Sequence, residues 1–253
     1  MKIAVSGKGG VGKTTFAAFM AKAFSDEGKK VIAIDADPDA NLAQALGIKD
    51  SDKIVPISKM TDLIEERTET KVGTMGGFFK LNPKVDDLPD KLSLKTNGIR
   101  LMVMGGVKKG GAGCICPEST LLKSLVRHIV LARDEVVVLD MEAGLEHLGR
   151  GTAMAVDYLI VVVEPGRRSI ETARQVQRLA ADLGIKNLLL VGNKIRSPED
   201  ENFLKKEMSN MKFLGFIPYN PSIIEADLEG KAPFQKDRET LELVKKMIHR
   251  LEK

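Results

Sequence analysis

The chain has 253 residues, 43% of them hydrophobic and 29% charged, with a formal net charge of +4. Such a chain suits one α/β domain burying roughly 70–75% of its unfolded surface, and its ordinary balance excludes the disordered and membrane-spanning classes. Aromatic residues make up 4%, with no Trp, which argues against a stacking platform for single-stranded nucleic acid.

The basic pairs Lys29-Lys30, Lys108-Lys109, Arg167-Arg168, Lys205-Lys206 and Lys245-Lys246 are scattered along the chain. Scattered pairs mark solvated faces rather than a nucleic-acid stripe. No secretory leader is expected, because the chain enters an apolar strand at once, and no apolar run approaches the length of a membrane span. The expected setting is cytoplasmic, with neither nucleic acid nor membrane as partner.

Ile3-Ala4-Val5 reads as a buried strand, and residues 16–24 carry a helical pattern. Between them lies Gly7-Lys8-Gly9-Gly10-Val11-Gly12-Lys13-Thr14-Thr15. Strand, glycine loop, Lys-Thr and helix form the layout of a phosphate-binding loop. The glycines let backbone N–H groups approach phosphate oxygens, and the helix adds its N-terminal dipole. Lys13 is placed to reach the β- and γ-phosphates, and the Thr14 hydroxyl to bind Mg²⁺. Gly7, Gly9 and Gly12 also satisfy the dinucleotide pattern, with Asp35 where that fold keeps its ribose acid. A dinucleotide fold has no need of the Lys-Thr-Thr that opens the helix, so a nucleoside triphosphate is the expected ligand.

Residues 30–34 read as a second strand, ending at Asp35-Ala36-Asp37-Pro38. Acids at the carboxyl end of a strand sit where open α/β sheets bind ligands. Asp37 before Pro38 is also expected to cap a helix. Gln44 and Leu46 then read as ordinary helix positions. Residues 60–67 are expected to be helical, and the stretch of about 71–97 reads as an irregular excursion rich in turn residues.

Residues 99–104 form the next expected strand, followed by a glycine-rich loop over about 105–117 that contains Cys114 and Cys116. Pro117-Glu118 and the apolar pattern behind them signal a helix start, which puts Cys116 at or beside the N-cap. That setting, with Lys108 and Lys109 nearby, favours the metal-binding thiolate. Two cysteines two apart on an extended loop can pinch one ion, but two thiolates fill half of a four-coordinate site. The chain has no other cysteine. A two-fold dimer would supply the second pair. The spacing leaves the identity of the ion open. An iron–sulfur cluster, or two incidental thiols, are the other readings of the same pair.

Residues 135–140 read as a strand ending in a Walker B acid, Asp140, suited to hold Mg²⁺. Gly144 behind it could bring a backbone N–H to the γ-phosphate. His147 is either a ligand or a structural histidine. Residues 158–163 and 188–191 are strands around a helix at 169–181. Asn193, with a donor and an acceptor on one amide, suits the adenine edge. Residues 213–220, which include Pro218, form the last strand and its turn. The tail over 239–253 carries an apolar stripe. It is read as a packed closing helix rather than a membrane-surface helix, since it has no aromatic anchor.

The segment Lys8-Gly9-Gly10-Val11-Gly12-Lys13-Thr14-Thr15 resembles the deviant Walker A of the MinD/ParA/Mrp/nitrogenase-iron-protein class of ATPases. The resemblance implies that Lys8 crosses a dimer interface to the partner's nucleotide, as an arginine finger does. It implies that the Asp35–Asp37 segment is switch I, with Asp37 positioning the attacking water and Asp35 nearer the Mg²⁺. It implies base recognition by Asn193 and Lys194, with Pro218 flanking the base. The Cys-x-Cys stretch at 111–118, and residues 140–153 behind the Walker B acid, are similar to the CooC-type accessory ATPases. These insert nickel into carbon monoxide dehydrogenase, and related proteins serve acetyl-CoA synthase.

The resemblance as a whole implies a Mg²⁺-dependent ATPase of the three-layer P-loop NTPase fold, with a mostly parallel central sheet flanked by helices in a single domain over 1–253. It would form a homodimer on binding nucleotide or metal. Its metal would be held by Cys114 and Cys116 of each subunit, and its client would be carbon monoxide dehydrogenase or acetyl-CoA synthase. The alternatives are a ParA/MinD-type positioning switch on DNA or membrane, and an iron–sulfur electron donor or carrier.

Overall fold

The computed structural model describes residues 1–71, 79–105, 116–145, 148 and 150–252. Among them the strands are β1 (Lys2–Gly7), β2 (Val31–Asp35), β3 (Leu94–Thr96), β4 (Ile99–Val103), β5 (Val136–Asp140), β6 (Tyr158–Val163), β7 (Leu188–Ile195) and β8 (Lys212–Pro218). They form one sheet in the order β3-β4-β2-β5-β1-β6-β7-β8. Only the edge pair β3–β4 is antiparallel. All other neighbours run parallel.

The α-helices are α1 (Lys13–Asp26), α2 (Leu42–Ala45), α3 (Thr61–Thr68), α4 (Leu88–Leu92), α5 (Pro117–Ala132), α6 (Arg150–Ala153), α7 (Arg167–Leu183), α8 (Pro198–Glu207), α9 (Pro221–Leu228), α10 (Pro233–Lys236) and α11 (Arg238–Leu251). They cover both faces, as a parallel sheet requires. The central strands are continuous apolar runs, and every residue of β2 and β5 is buried. Alternate side chains feed two cores. Val31 and Ala33 of β2 join Phe16, Phe19 and Phe24 of α1 and Leu241, Val244 and Ile248 of α11. Ile32 and Ile34 join Leu121, Leu125 and Ile129 of α5 and Ile170 and Val176 of α7. This is the predicted three-layer α/β architecture.

The expected strands and helices occur with small shifts of boundary. The closing helix α11 buries its stripe of Leu241, Val244, Met247, Ile248 and Leu251 inside the protein. Its first turn is capped by Asp237, whose Oδ1 accepts from the Thr240 N–H at 2.9 Å. Inside the expected excursion lie α4 and β3. Both are short, and β3 has two exposed residues, so no periodicity marks it. Residues 72–78 of that stretch lie outside the described residues.

The strand order positions the site. β1 is flanked by β5 on one side and β6 on the other. The chain leaves β1 toward β2 and later crosses to β6, so its direction reverses around β1. Open α/β sheets bind ligands in the crevice at the carboxyl ends of strands beside such a reversal. Gly7, Asp35 and Asp140 end β1, β2 and β5 there.

Candidate nucleotide site

The glycine loop leaves β1 in a backbone path that only glycine follows easily. Gly7, Gly10 and Gly12 have φ of 147°, 81° and 94°. A Cβ on Gly7 would lie 2.5 Å from the Val162 carbonyl oxygen of β6, and one on Gly12 would lie 2.4 Å from Asn193 Nδ2. Gly12 is the N-cap of α1 and brings no side-chain cap. The first N–H groups of a 14-residue helix are therefore left for an anion.

Lys13, in the first turn of α1, is 8% exposed. Its Nζ lies 3.2 Å from Asp37 Oδ2. Asp37 does not cap a helix as its position before Pro38 predicts. Its Oδ1 accepts from the Asp39 N–H at 3.0 Å, a side-chain turn that keeps the segment out of helical geometry. The helix begins only at Leu42, and Asp35 serves that start. Asp35 Oδ2 accepts from the Leu42 N–H at 2.8 Å, and Oδ1 from the Asp37 N–H at 3.3 Å.

Asp140 lies beside Asp35 as its register partner across β2 and β5. Both side chains are fully buried. Among the described residues neither carboxylate oxygen of Asp140 has a well-formed hydrogen bond. The Thr14 hydroxyl faces it and favours its ionised form. Burial pushes Asp140 up to about 7, against that pull, and the neighbouring Asp35 adds to the rise. Burial likewise pushes Asp35 up to about 6, against its two backbone hydrogen bonds.

A buried carboxylate with no more than a hydroxyl facing it fits a divalent cation. Charge balance argues the same way. Asp35, Asp37 and Asp140 surround one P-loop lysine, so a polyphosphate needs a further cation to settle here. Asp140 and Thr14 thus present oxygen donors suited to a divalent cation, while Asp35 is engaged by backbone N–H groups.

The loop opens on a cleft of ≈ 840 Å³, walled by the glycine loop, Asp37, Glu142 and the Ile223 side of α9. That volume is ample for a nucleotide. Thr14 and Thr15 lie on its floor. Val11 is fully buried and anchors the loop. The Lys8 ammonium lies 3.5 Å from the adjacent Gly9 carbonyl in an exposed position. Lys8 is not among the residues that line the cleft.

Asn193 and Lys194 come to the loop itself. Asn193 Nδ2 donates to the Val11 carbonyl at 2.7 Å, and Lys194 Nζ to the Gly10 carbonyl at 2.6 Å. Pro218 ends β8 opposite Ile195 and is exposed. Cys116 is the N-cap of α5, in extended conformation and half-buried, as its position before Pro117 predicts. Cys114 and His147 lie outside the described residues. Among the described residues no three or more His, Cys, Asp or Glu side chains converge as a metal site.

Two further features escaped sequence reasoning. Gln44, read as an ordinary helix residue, donates to Asp227 Oδ1 at 2.9 Å and so ties α2 to α9 across the cleft. They stand 183 positions apart, and nothing local links them. Glu164 pairs with Lys194 at 2.9 Å. A signal for it existed: like Asp35 and Asp140, it is an acid at the carboxyl end of a parallel strand.

The fold and this loop define a P-loop nucleotide-binding protein with a second lysine inside the loop. Residues 2–234 match the family model of the CobQ/CobB/MinD/ParA nucleotide-binding domain. The chain is 51% identical over 232 residues to the carbon monoxide dehydrogenase accessory protein CooC of Rhodospirillum rubrum, covering 91% of this chain and 88% of that one. It is 49% identical over 252 residues to an ATP-binding protein of Methanocaldococcus jannaschii, covering 98% and 96%. Among solved structures, MinD of Pyrococcus horikoshii in complex with Mg-ADP superposes with a TM-score of 0.67 at 20% identity, covering 100% of this chain and 96% of that one. MinD of Aquifex aeolicus gives 0.69 at 22%, covering 100% and 97%. The chain belongs to the CobQ/CobB/MinD/ParA nucleotide-binding family, and within it to the CooC type.

Proposed function

We propose that this chain is an ATPase that carries nickel to the active-site cluster of carbon monoxide dehydrogenase or acetyl-CoA synthase. The observation that carries the reading is the 51% identity to CooC over 232 residues. The geometry at Asp140, Lys13 and Cys116 is consistent with it.

ATP lies with its triphosphate along the loop and against the N-terminus of α1. Lys13 leaves Asp37 for the β- and γ-phosphate oxygens. Asp37, released, orients a water for in-line attack on the γ-phosphorus and accepts its proton, giving ADP and phosphate. Asp140 and Thr14 would hold Mg²⁺, which would supply charge to neutralise the phosphate oxygens. The adenine falls on the side of Asn193, Lys194 and Pro218, where the Asn193 carboxamide oxygen accepts from the exocyclic amine. Lys8 of each subunit reaches the partner's γ-phosphate when two copies close face to face.

Nickel is the cargo. Cys114 and Cys116 of each subunit supply four thiolates around one ion, with Zn²⁺ as competitor. Cys116 at the N-terminus of α5 is stabilised as thiolate by the helix dipole. Closure of the dimer on ATP changes the distance between the two cysteine pairs, so nickel affinity differs between open and closed forms.

The test is an anaerobic nickel titration of the full chain with no nucleotide, ADP or ATP. It follows thiolate-to-metal charge transfer and molecular mass together. The expected result is one nickel per two chains, a doubled mass, and loss of both in Cys116→Ser. If no nucleotide state binds nickel above the level of that variant, the carrier reading fails and a partitioning-type switch takes its place.

A further inference from the structure

We infer that Asn193, Lys194 and Glu164 form a clamp that holds the glycine loop in its phosphate-binding shape before any nucleotide arrives. The inference rests on the nucleotide reading above and assigns these residues a positioning role, in addition to any contact with a base.

The clamp begins as a break in the sheet. Along a regular strand successive side chains point to opposite faces. The pairing of β7 with β8 shifts register between Gly192 and Ile195. Such irregularities re-aim side chains beside functional sites. Here Lys194 takes φ of 59°, a left-handed conformation that a lysine adopts only under constraint. The result is that two consecutive side chains face the same way. They meet two consecutive carbonyls of the glycine loop, Lys194 on Gly10 at 2.6 Å and Asn193 on Val11 at 2.7 Å.

The lysine is itself held. Glu164 Oε2 lies 2.9 Å from Lys194 Nζ, and the Glu164 N–H donates to the Ser169 hydroxyl in the first turn of α7 at 3.0 Å. The ammonium therefore bridges the end of β6 and the loop. Gly12 leaves the room the clamp needs, since a Cβ there would lie 2.4 Å from Asn193 Nδ2.

Peptide planarity turns these contacts into a shape. In a trans peptide the carbonyl and the following N–H point in opposite directions. Pinning the Val11 carbonyl to Asn193 turns the Gly12 N–H away from β7. Pinning the Gly10 carbonyl fixes the preceding peptide plane, whose Val11 N–H turns back to the Lys8 carbonyl at 3.4 Å and closes the curve of the loop. Backbone N–H groups so oriented make an anion-binding concavity, and one that is preformed binds polyphosphate without first ordering the loop.

Clamp and base reader are separated by ligands with and without a base. Tripolyphosphate, ATP and GTP would be titrated by displacement of a fluorescent ATP analogue from the wild-type chain, Lys194→Gly, Asn193→Ala and Glu164→Gln. Lys194→Gly keeps the left-handed backbone and removes the ammonium. The expected result is weakening of tripolyphosphate and ATP by a common factor of about tenfold in Lys194→Gly, the size of one charge-assisted hydrogen bond. The wild-type preference for ATP over GTP should persist, and Glu164→Gln should show a smaller loss of the same kind. If Lys194→Gly unfolds on thermal scanning, the Glu164→Gln series decides by the same comparison. Unchanged tripolyphosphate binding with weakened ATP and a lost base preference would make these residues base readers and overturn the clamp. So would a wild-type chain from which tripolyphosphate displaces nothing. A wild-type chain that fails to bind the ATP analogue at all would instead remove the nucleotide reading, and the clamp with it.

Discussion

Asp35 and Asp140 end β2 and β5 as register partners, both fully buried, yet among the described residues only Asp35 is hydrogen-bonded to the backbone around it. Two carboxyls of one origin thus have different tasks. Asp35 builds the turn into α2. Asp140 carries the cost of burial with no well-formed hydrogen bond among the described residues.

That cost sets a pH dependence in the nucleotide-free protein. From an ordinary 3.8, Asp35 rises to about 6 and Asp140 to about 7. Between these limits the folded state holds protons that the unfolded chain has released, so stability falls as pH rises from about 4 to about 7 and then levels off. Asp140→Asn removes the larger part. Its midpoint of thermal unfolding should exceed the wild-type value at about pH 8 by a few degrees, on the order of 1–3 kcal/mol, and converge with it near pH 4. Mg²⁺ with ADP should raise the wild-type midpoint and leave the variant unmoved. An equal gap between the two proteins at both pH values would refute the assignment.

Lys13 and Asp37 hold each other in the absence of ligand, at 3.2 Å with little solvent around either. ATP has to separate them. Asp37→Asn weakens this hold and removes the carboxylate to which the proposed mechanism assigns the attacking water. ADP should bind several-fold more tightly to the variant, while turnover falls by about 10²–10⁴. Calorimetric titration with ADP and steady-state phosphate release read the two effects separately. Loss of ADP affinity in Asp37→Asn would contradict the competition between carboxylate and phosphate.

Lys8 is half-buried and does not line the nucleotide cleft of its own subunit. Lys8→Ala should leave ATP affinity within about twofold and lower hydrolysis by about 10³ or more, the range of a residue supplied in trans. Mixing Lys8→Ala with Asp37→Asn should restore part of the activity. In the mixed dimer one site has an intact Asp37 and receives Lys8 from its neighbour. Absence of recovery on mixing would place Lys8 in its own subunit's site.

Gly12 sits at φ 94° under Asn193. Gly12→Ala places a methyl where no space exists and strains the backbone by roughly 1–3 kcal/mol. The fold should survive, since the defect is confined to the loop, and nucleotide binding should drop by more than about a hundredfold. Near-wild-type ADP binding in this variant would show that the loop adjusts more freely than its contacts indicate.

The order of elements and the phosphate loop were legible because their causes are local. A buried parallel strand is a run of apolar residues, and the loop from Gly7 to Thr15 needs its glycines, Lys13 and Thr14 in one fixed spacing. Cys116 as an N-cap follows from Pro117 behind it. β3 was not legible, because a three-residue edge strand has no room for a pattern. The Asp37 cap was misread because the Asp-Pro signal is satisfied equally by a helix start and by the side-chain turn that Asp37 forms with Asp39.

The sequence by itself determined that the chain alternates strands and helices around a nucleotide loop with a second lysine. It also placed acids at the ends of the second strand and of the strand before residues 140–153. Each of these is written in spacing over a few residues. Only the tertiary structure decided which acid is bound to backbone N–H groups and which is not, that Lys13 rests on Asp37, and that Asn193 and Lys194, with Glu164 behind the lysine, close on the glycine loop. Those relations join residues distant in the chain, Lys194 to Gly10 across 184 positions. They arise from where parallel strands end and how β7 breaks its register, which no local periodicity encodes.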